Sequence, residues 1–408
     1  HSGIRDLDSS LVGSEMCIRD RTVVDHANAI KRMNPDITIG KYHNLATLTR
    51  NAGGYYVGLN EKLDSEKGPN ARTSPNWWLH DKDGNVVTQK DRENRWRTNL
   101  TEYVKPDANG DRYPQFKAKY DYNWMMKEPV WDFWFQDVVN HRPKFQSRGF
   151  LGDFSGGQTY DENELSAAWR RGHRAHWDEI RRLTPNKMII ANLNWYLYQE
   201  RTGKWDLKEF DKQVEGGVLD HIMNWDRSVE ANEGWETLRT FYKWTFNYLK
   251  APKLVIFNVY GDPQDYRFFR YAFATCLMND GYFDFSPTNE FNFGTVQWFD
   301  EFDLAGEADT SWLGRSVSDP PERPWQNGVY RRDFENGTAL VNPRGNGKAT
   351  VTIEDGFRRI NGQQDPSVNN GQPVSRITLQ EGDGIILIRE TPAKPKPKKR
   401  PKAPVMRN

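Results

Sequence analysis

The constraint that weighs most on this chain is an alternation. Short apolar runs, each breaking into polar residues or glycine, are separated mostly by helical patterns. The runs are Ile37 to Tyr42, Ala118 to Tyr122, Gly149 to Asp153, Lys187 to Leu193, Val218 to Trp225, Leu254 to Tyr260 and Gly281 to Phe285. Helical spacing of apolar residues marks Val23 to Met33, Val130 to Gln146, Glu162 to Arg182, Trp235 to Leu249 and Asp265 to Met278. Strands joined by helices bury a parallel sheet on both faces, and so many in series predict an α/β chain with a (β/α)8 TIM barrel. No strand precedes the helix at Val23, so the first barrel strand is expected to be missing. A doubly wound open sheet is the rival, but no glycine-rich phosphate loop follows any of these runs.

The stretch Ser14-Glu15-Met16-Cys17-Ile18-Arg19-Asp20-Arg21 resembles a translated sequencing-adapter artefact of assembled metagenomic reading frames. Residues 1–21 are therefore set aside from fold reasoning. On that resemblance the natural start is expected to be missing, and secretion or a periplasmic location stays an open reading. Cys17 and Cys276 alone build neither a disulfide framework nor a zinc site.

Residues 45–115 form a long polar excursion rich in Gly and Pro, a length that in a compact domain is usually functional. Inside it, Trp77 to Val87 reads as a hairpin turning on Asp83-Gly84. Asp107 to Asp111 hints at a calcium loop, but its glycine is misplaced and no Glu follows at the EF-hand distance, which leaves a turn. After Arg323 the texture changes to short strands separated by tight turns: Gly328 to Phe334, Thr338 to Asn342, Ala349 to Ile353, Arg376 to Leu379 and Gly384 to Ile388. They predict an antiparallel β-sandwich over 323–390, following a barrel over 22–322. The Lys- and Pro-rich residues 391–408 have almost nothing to bury and read as a disordered tail.

Composition narrows the partners. The 57 basic and 56 acidic residues leave a formal charge of +1, no field for a polyanion, so nucleic acid is not expected. No apolar run approaches the roughly 18 residues of a membrane span. Aromatics make up 13% of the chain, with 16 Trp, which suits a surface that stacks on sugars as well as a packed core. Oligomeric state is not readable.

Glycosidic cleavage ordinarily needs two carboxyl groups facing each other across the sugar, and a barrel delivers them from the C-terminal ends of different strands. Asp121, Asp153, Asp226, Asp262, Asp284 and Glu290 are the candidates. Asp153 and Asp226 are the expected pair, with Glu290 in reserve. Polar residues at other strand ends suit substrate hydroxyls: His43, Asn44, Asp121, Asn123, Asn192, Asn194, Asn224 and Asn258. Trp78, Trp124, Trp195 and Trp225 are candidate stacking platforms. His173 and His176 lack a third ligand and read as surface residues, so no metal and no cofactor is expected.

The order of parts resembles the glycoside hydrolase-like barrel families, most nearly the one called hypothetical glycosyl hydrolase family 15. The resemblance rests on Ile37 to Asn44, Trp77 to Val87, Gly149 to Asp153, Lys187 to Asn194, Trp298-Phe299-Asp300-Glu301-Phe302 with Trp312-Leu313-Gly314, and Gly328 to Gly337 followed by Leu340-Val341-Asn342-Pro343. It spans Thr22 to Glu390 and implies a (β/α)8 barrel hydrolysing O-glycosyl bonds, with a C-terminal β-domain. Relatives tend to read Gly-Phe-Asp-Gly on the fourth strand, where this chain has Leu151 at the first Asp position and Asp153 beyond it. Their sixth strand often ends in Glu, where Asn224-Trp225-Asp226 stands here. The expected function is a glycosidase acting on a poly- or oligosaccharide. A non-catalytic carbohydrate-binding barrel is the alternative.

Overall fold

The computed structural model describes residues 20–50, 53–65, 77–80, 86–89, 92–143, 162–193, 197–198, 201–203, 207–224, 228–287 and 296–390. Helix α1 (Asp20–Met33) leads into strand β1 (Gly40–Asn44). The excursion that follows holds β2 (Thr47–Thr49), helix α2 (Tyr55–Ser65), β3 (Thr88–Gln89) and β4 (Arg92–Arg97). These three strands make a small antiparallel sheet in the order β2-β4-β3. Helix α3 (Tyr113–Asp121) then precedes β5 (Phe133–Asp137), α4 (Glu162–Leu183), β6 (Met188–Ala191) and β7 (Gly216–Leu219). Helices α5 (Val229–Glu233) and α6 (Trp235–Tyr248), β8 (Leu254–Gly261), α7 (Tyr266–Leu277) and β9 (Tyr282–Pro287) complete the alternation. The long strands pair in parallel in the order β1-β5-β6-β7-β8-β9, a six-stranded half-barrel with helices between its strands.

Alternation along each strand sorts side chains onto two faces. On the inner face, Phe133, Ile190, Val218 and Ile256 pack together, with Phe135, Met188 and Leu254 against them. Burying such a side chain is worth about 1.5–3 kcal/mol. On the outer face, Trp134 and Gln136 of β5 meet α4, whose Leu165, Trp169, His173, His176, Trp177 and Ile180 are buried at helical spacing. Gln136 ties the two elements, lying 2.9 Å from His173 Nδ1 and accepting from Trp177 Nε1 at 2.5 Å.

Two compact units divide the described chain. One lies within residues 5–262 and 281–297 and holds the half-barrel; the other lies within 263–280 and 298–408. In the second, β10 (Tyr330–Asp333), β11 (Gly337–Asn342), β13 (Phe357–Arg359) and β15 (Asp383–Arg389) form an antiparallel sheet in the order β10-β11-β15-β13. Strands β12 (Ala349–Thr352) and β14 (Arg376–Leu379) pair separately, and both groups share a core of Leu340, Val351, Phe357, Ile377, Ile385 and Leu387. Helix α7 packs on β11 and β15.

Several expectations are corrected. Residues 118–122 are not a strand: they end α3 and enter a π-helical turn (Tyr122–Met126), and Pro114 at the start of α3 was the overlooked helix signal. The predicted helix over 130–146 contains β5 instead; Val130, Trp134 and Val138 fall four apart by chance, with only Trp134 inside the aromatic strand. The strand at 218–225 stops at Leu219. His173 and His176 are fully buried, not on the surface. The Asp107 to Asp111 stretch is a turn closed by Asp107 Oδ1, which accepts from Asn109 N at 2.9 Å and Asp111 N at 3.1 Å. The predicted strand at 149–153 lies outside the described residues, as does the turn of the 77–87 hairpin, whose His80 and Val86 pair antiparallel.

Candidate functional site

Above the apolar inner layer, the next inward position of each parallel strand is polar. Around the half-barrel these residues are Asn44, Asp137, Asn192, Asp220, Asn258 and Asp284, alternating carboxamide and carboxylate. Register sets Asn44 opposite Asp137 and Asn258 opposite Asp284. Three like charges side by side would repel, and the amides between them supply N–H donors that relieve it. Asn192 Nδ2 donates to Asp137 Oδ1 at 3.1 Å and to Asp220 Oδ2 at 3.3 Å. Asn258 Nδ2 donates to Asp284 Oδ2 and, at 3.4 Å, to Ser286 Oγ. Tyr42 Oη donates to the other oxygen of Asp137 at 2.9 Å.

Asp137 ends β5, where the chain turns sharply. Val138 has a φ of +54°, a conformation that a β-branched residue rarely adopts, and its N–H donates to Asp137 Oδ1 at 2.7 Å. Burial is the main influence on this carboxyl and holds it above the ordinary aspartate range. Tyr42, Val138 and Asn192 oppose the shift as donors, while Asp220 adds to it. Burial, then Asp137, pushes the Tyr42 phenol well up. Arg95 of β4 lies within electrostatic reach of Asp137; burial lowers its guanidinium and Asp137 works against that.

Asp220 directly follows β7. Its Oδ1 is 2.9 Å from His221 Nδ1, and the His221 ring stacks on Tyr260 with centroids 3.7 Å apart and planes at 9°. The Tyr260 phenol is held up by burial first, then by Asp220 and Asp284.

The sequence-predicted residues scatter around this ring. Asn192, Asn258 and Asp284 are in it. Asn44 shares its level, but its Oδ1 caps the following turn, accepting from Ala46 N at 3.1 Å and Thr47 N at 3.2 Å. Asn224 is exposed, in a left-handed conformation, and donates to Tyr260 O at 3.4 Å. His43 points to the opposite face of the sheet, onto Trp134 and His176. Trp78 is a core residue at 0% exposure, so it offers no platform. Asp121 sits buried on a helix, paired with Lys117 and Tyr55. Asn123 is exposed in the π-helical turn, and Trp124 beside it stacks on Tyr120. Asp262 is exposed after β8. Asp153, Asp226, Glu290, Asn194, Trp195 and Trp225 lie outside the described residues. Sequence reasoning missed Asp137, Asp220, His221 and Tyr260. Asp137 was hidden in a supposed helix and Asp220 inside a supposed strand.

Among the described residues no group of three or more His, Cys, Asp or Glu is placed to hold a metal ion, and no helix is long and apolar enough to cross a membrane.

The profile of a family described as hypothetical glycosyl hydrolase family 15 matches residues 31–338. Among solved structures, the chain is similar to an alpha-amylase from Lactobacillus plantarum, at 9% identity over 90% of this chain and 82% of that one, with a TM-score of 0.47. It is similar to an alpha-amylase from Anoxybacillus at 9% identity over 91% and 80%, with a TM-score of 0.44. The glycoside hydrolase domain of PelA from Pseudomonas aeruginosa aligns at 13% identity over 67% and 86%, with a TM-score of 0.40. No curated protein matches.

Proposed function

The chain belongs to hypothetical glycosyl hydrolase family 15, and from that membership we propose that it hydrolyses O-glycosidic bonds of a poly- or oligosaccharide with two carboxyl groups at the strand ends. The single observation that carries this reading is that Asp137 and Asp220 are bound by one amide nitrogen of Asn192, at 3.1 and 3.3 Å. Their bonded oxygens are therefore at most about 6.4 Å apart, the sum of those two lengths. That fits the closer retaining separation of about 5–5.5 Å better than the inverting one of about 6.5–9.5 Å.

The environments of the two acids suit different roles. Asp137, held above the ordinary carboxylate range, is the group suited to keep a proton and give it to the leaving glycosidic oxygen. Asp220, with donors on both oxygens, is suited to attack the anomeric carbon. Water activated by Asp137 then releases the sugar and restores Asp220. The alternating amides and carboxylates suit the hydroxyls of a sugar ring. A closed (β/α)8 barrel over 22–322 and a β-sandwich over 323–390 belong to the same proposal.

The test is a reducing-end assay on a panel of neutral and acidic polysaccharides, with Asp137→Asn, Asp220→Asn, Asp153→Asn, Asp226→Asn and Glu290→Gln. Loss of about 10²-fold or more in kcat at Asp137 and Asp220, with far smaller effects at the other three, supports this pair. The opposite pattern assigns the chemistry to Asp153, Asp226 or Glu290. Glycan binding without turnover in the wild type would leave a carbohydrate-binding barrel.

A further inference from the structure

Within that reading of the strand-end acids, we propose that His221 is the positioning residue for Asp220: its imidazole, clamped by Tyr260, fixes the plane of the Asp220 carboxylate toward the space shared with Asp137. Neighbouring residues of an extended strand point to opposite faces of the sheet, so a ring at position 221 would ordinarily face away from the carboxylate at 220. It does not. His221 has a φ of +52°, in the left-handed region, and this reversal folds the ring back beside Asp220, with Nδ1 2.9 Å from Oδ1. The backbone N–H of His221 points to Asn258 Oδ1 at 3.5 Å, and the ring lies flat on Tyr260 at 3.7 Å. Histidine is among the few side chains enriched in this conformation, and strained backbone persists where its surroundings over-determine it.

The consequence is geometric. Asp220 Oδ2 is tied to Asn192 and Oδ1 to His221. Two donors from different elements leave the carboxylate no free rotation. Without the imidazole the carboxylate loses one of these restraints, and a swing of about 1 Å at a reacting atom is costly to the rate. Because Nδ1 faces a carboxylate, it is the Nδ1–H form that the pairing selects.

Three variants separate the contributions. His221→Phe keeps a ring for Tyr260 without the donor, His221→Ala removes both, and His221→Asn keeps a short donor and tolerance for the left-handed backbone. On the polysaccharide that the wild type depolymerises, kcat is expected to fall about 10-fold or more in His221→Phe and His221→Ala, with KM within about twofold. Partial recovery is expected in His221→Asn. A merely structural role would lower the melting temperature and leave kcat alone. The second readout needs no substrate: long-range imidazole ¹H–¹⁵N NMR of the full chain, expected to show Nδ1–H at His221 in the wild type and its loss in Asp220→Leu, which has no acceptor at that position. Wild-type kcat in His221→Phe, or a His221 tautomer indifferent to Asp220→Leu, overturns the proposal. If the wild type turns over no glycan, the glycosidase reading fails by itself, and the imidazole signal alone decides the His221–Asp220 pairing.

Discussion

His43 Nε2 and His176 Nε2 face each other at 3.2 Å behind the sheet, where β1 meets α4. The network assigns their protons. His176 Nδ1 is 2.8 Å from Pro114 O and must donate to it, which leaves its Nε2 to accept from His43. Burial is the main force on all three histidines in this layer; it lowers His43 well below the ordinary range and brings His173 and His176 down to about 3. An unfolded histidine titrates near 6.5, so between that pH and about 3 the unfolded chain binds more protons than the native one. Stability is therefore greatest above pH 6.5 and falls as the pH drops, by up to about 1.4 kcal/mol per unit for each histidine. Urea unfolding at pH 7.5 and 5.5 checks it: His173→Gln should shrink the difference between the two stabilities by about 1.4 kcal/mol. An unchanged difference would sink the claim.

That histidine layer also shows what the sequence made legible. Positions 165, 169, 173, 176 and 180 fall on one face of the α4 pattern, so the burial of His173 and His176 was readable from spacing alone. The elements with plain periodicity, α1, α4, α6, α7, β6 and β8, match their predicted spans closely. The strand at Phe133–Asp137 failed because both of its faces are buried, and a run without polar alternation cannot be told from a helix by period. The polar ring was half legible: Asn192, Asn258 and Asp284 stand two residues beyond strand positions that face the same way, but which strand ends converge is a matter of register in space. Asn192 bridging Asp137 and Asp220, 55 and 28 residues away, has no local signature.

Tyr42 restrains Asp137. Its hydroxyl donates at 2.9 Å to a carboxyl that burial is already pushing up. Tyr42→Phe removes a bond that favours the ionised form, so the Asp137 pKa should climb further. With Asp137 as proton donor, activity is lost as pH rises through that value, so the alkaline limb of the kcat/KM profile should move to higher pH. ¹³C NMR of the Asp137 carboxyl gives the same shift without substrate. A downward move of either would contradict the placement of Tyr42.

Gly172 sits in the middle of α4, where Ala would ordinarily be better by about 1 kcal/mol. A Cβ there would stand 2.0 Å from Leu100 O and 2.7 Å from Leu100 C, and backbone cannot swing aside as a side chain can. Overpacking should win over propensity. Gly172→Ala is expected to lose about 1–3 kcal/mol in urea unfolding. A gain in stability would mean that α4 lies farther from Leu100.

Lys117 is fully buried and bonds both Asp121 Oδ2 and, at 2.5 Å, Tyr55 Oη. Burial lowers its ammonium and Asp121 opposes that, which makes the pair mutually dependent. Lys117→Met leaves the Asp121 charge uncompensated and should cost about 3–5 kcal/mol. Removing both charges together, with Lys117→Met and Asp121→Leu, replaces the pair with apolar volume and should recover most of that loss. Because Asp121 lies on a helix rather than at a strand end, the double variant is also expected to keep the wild-type KM. Urea unfolding and the polysaccharide assay read the two effects separately. A raised KM in a variant of near-native stability would return Asp121 to the substrate-binding residues.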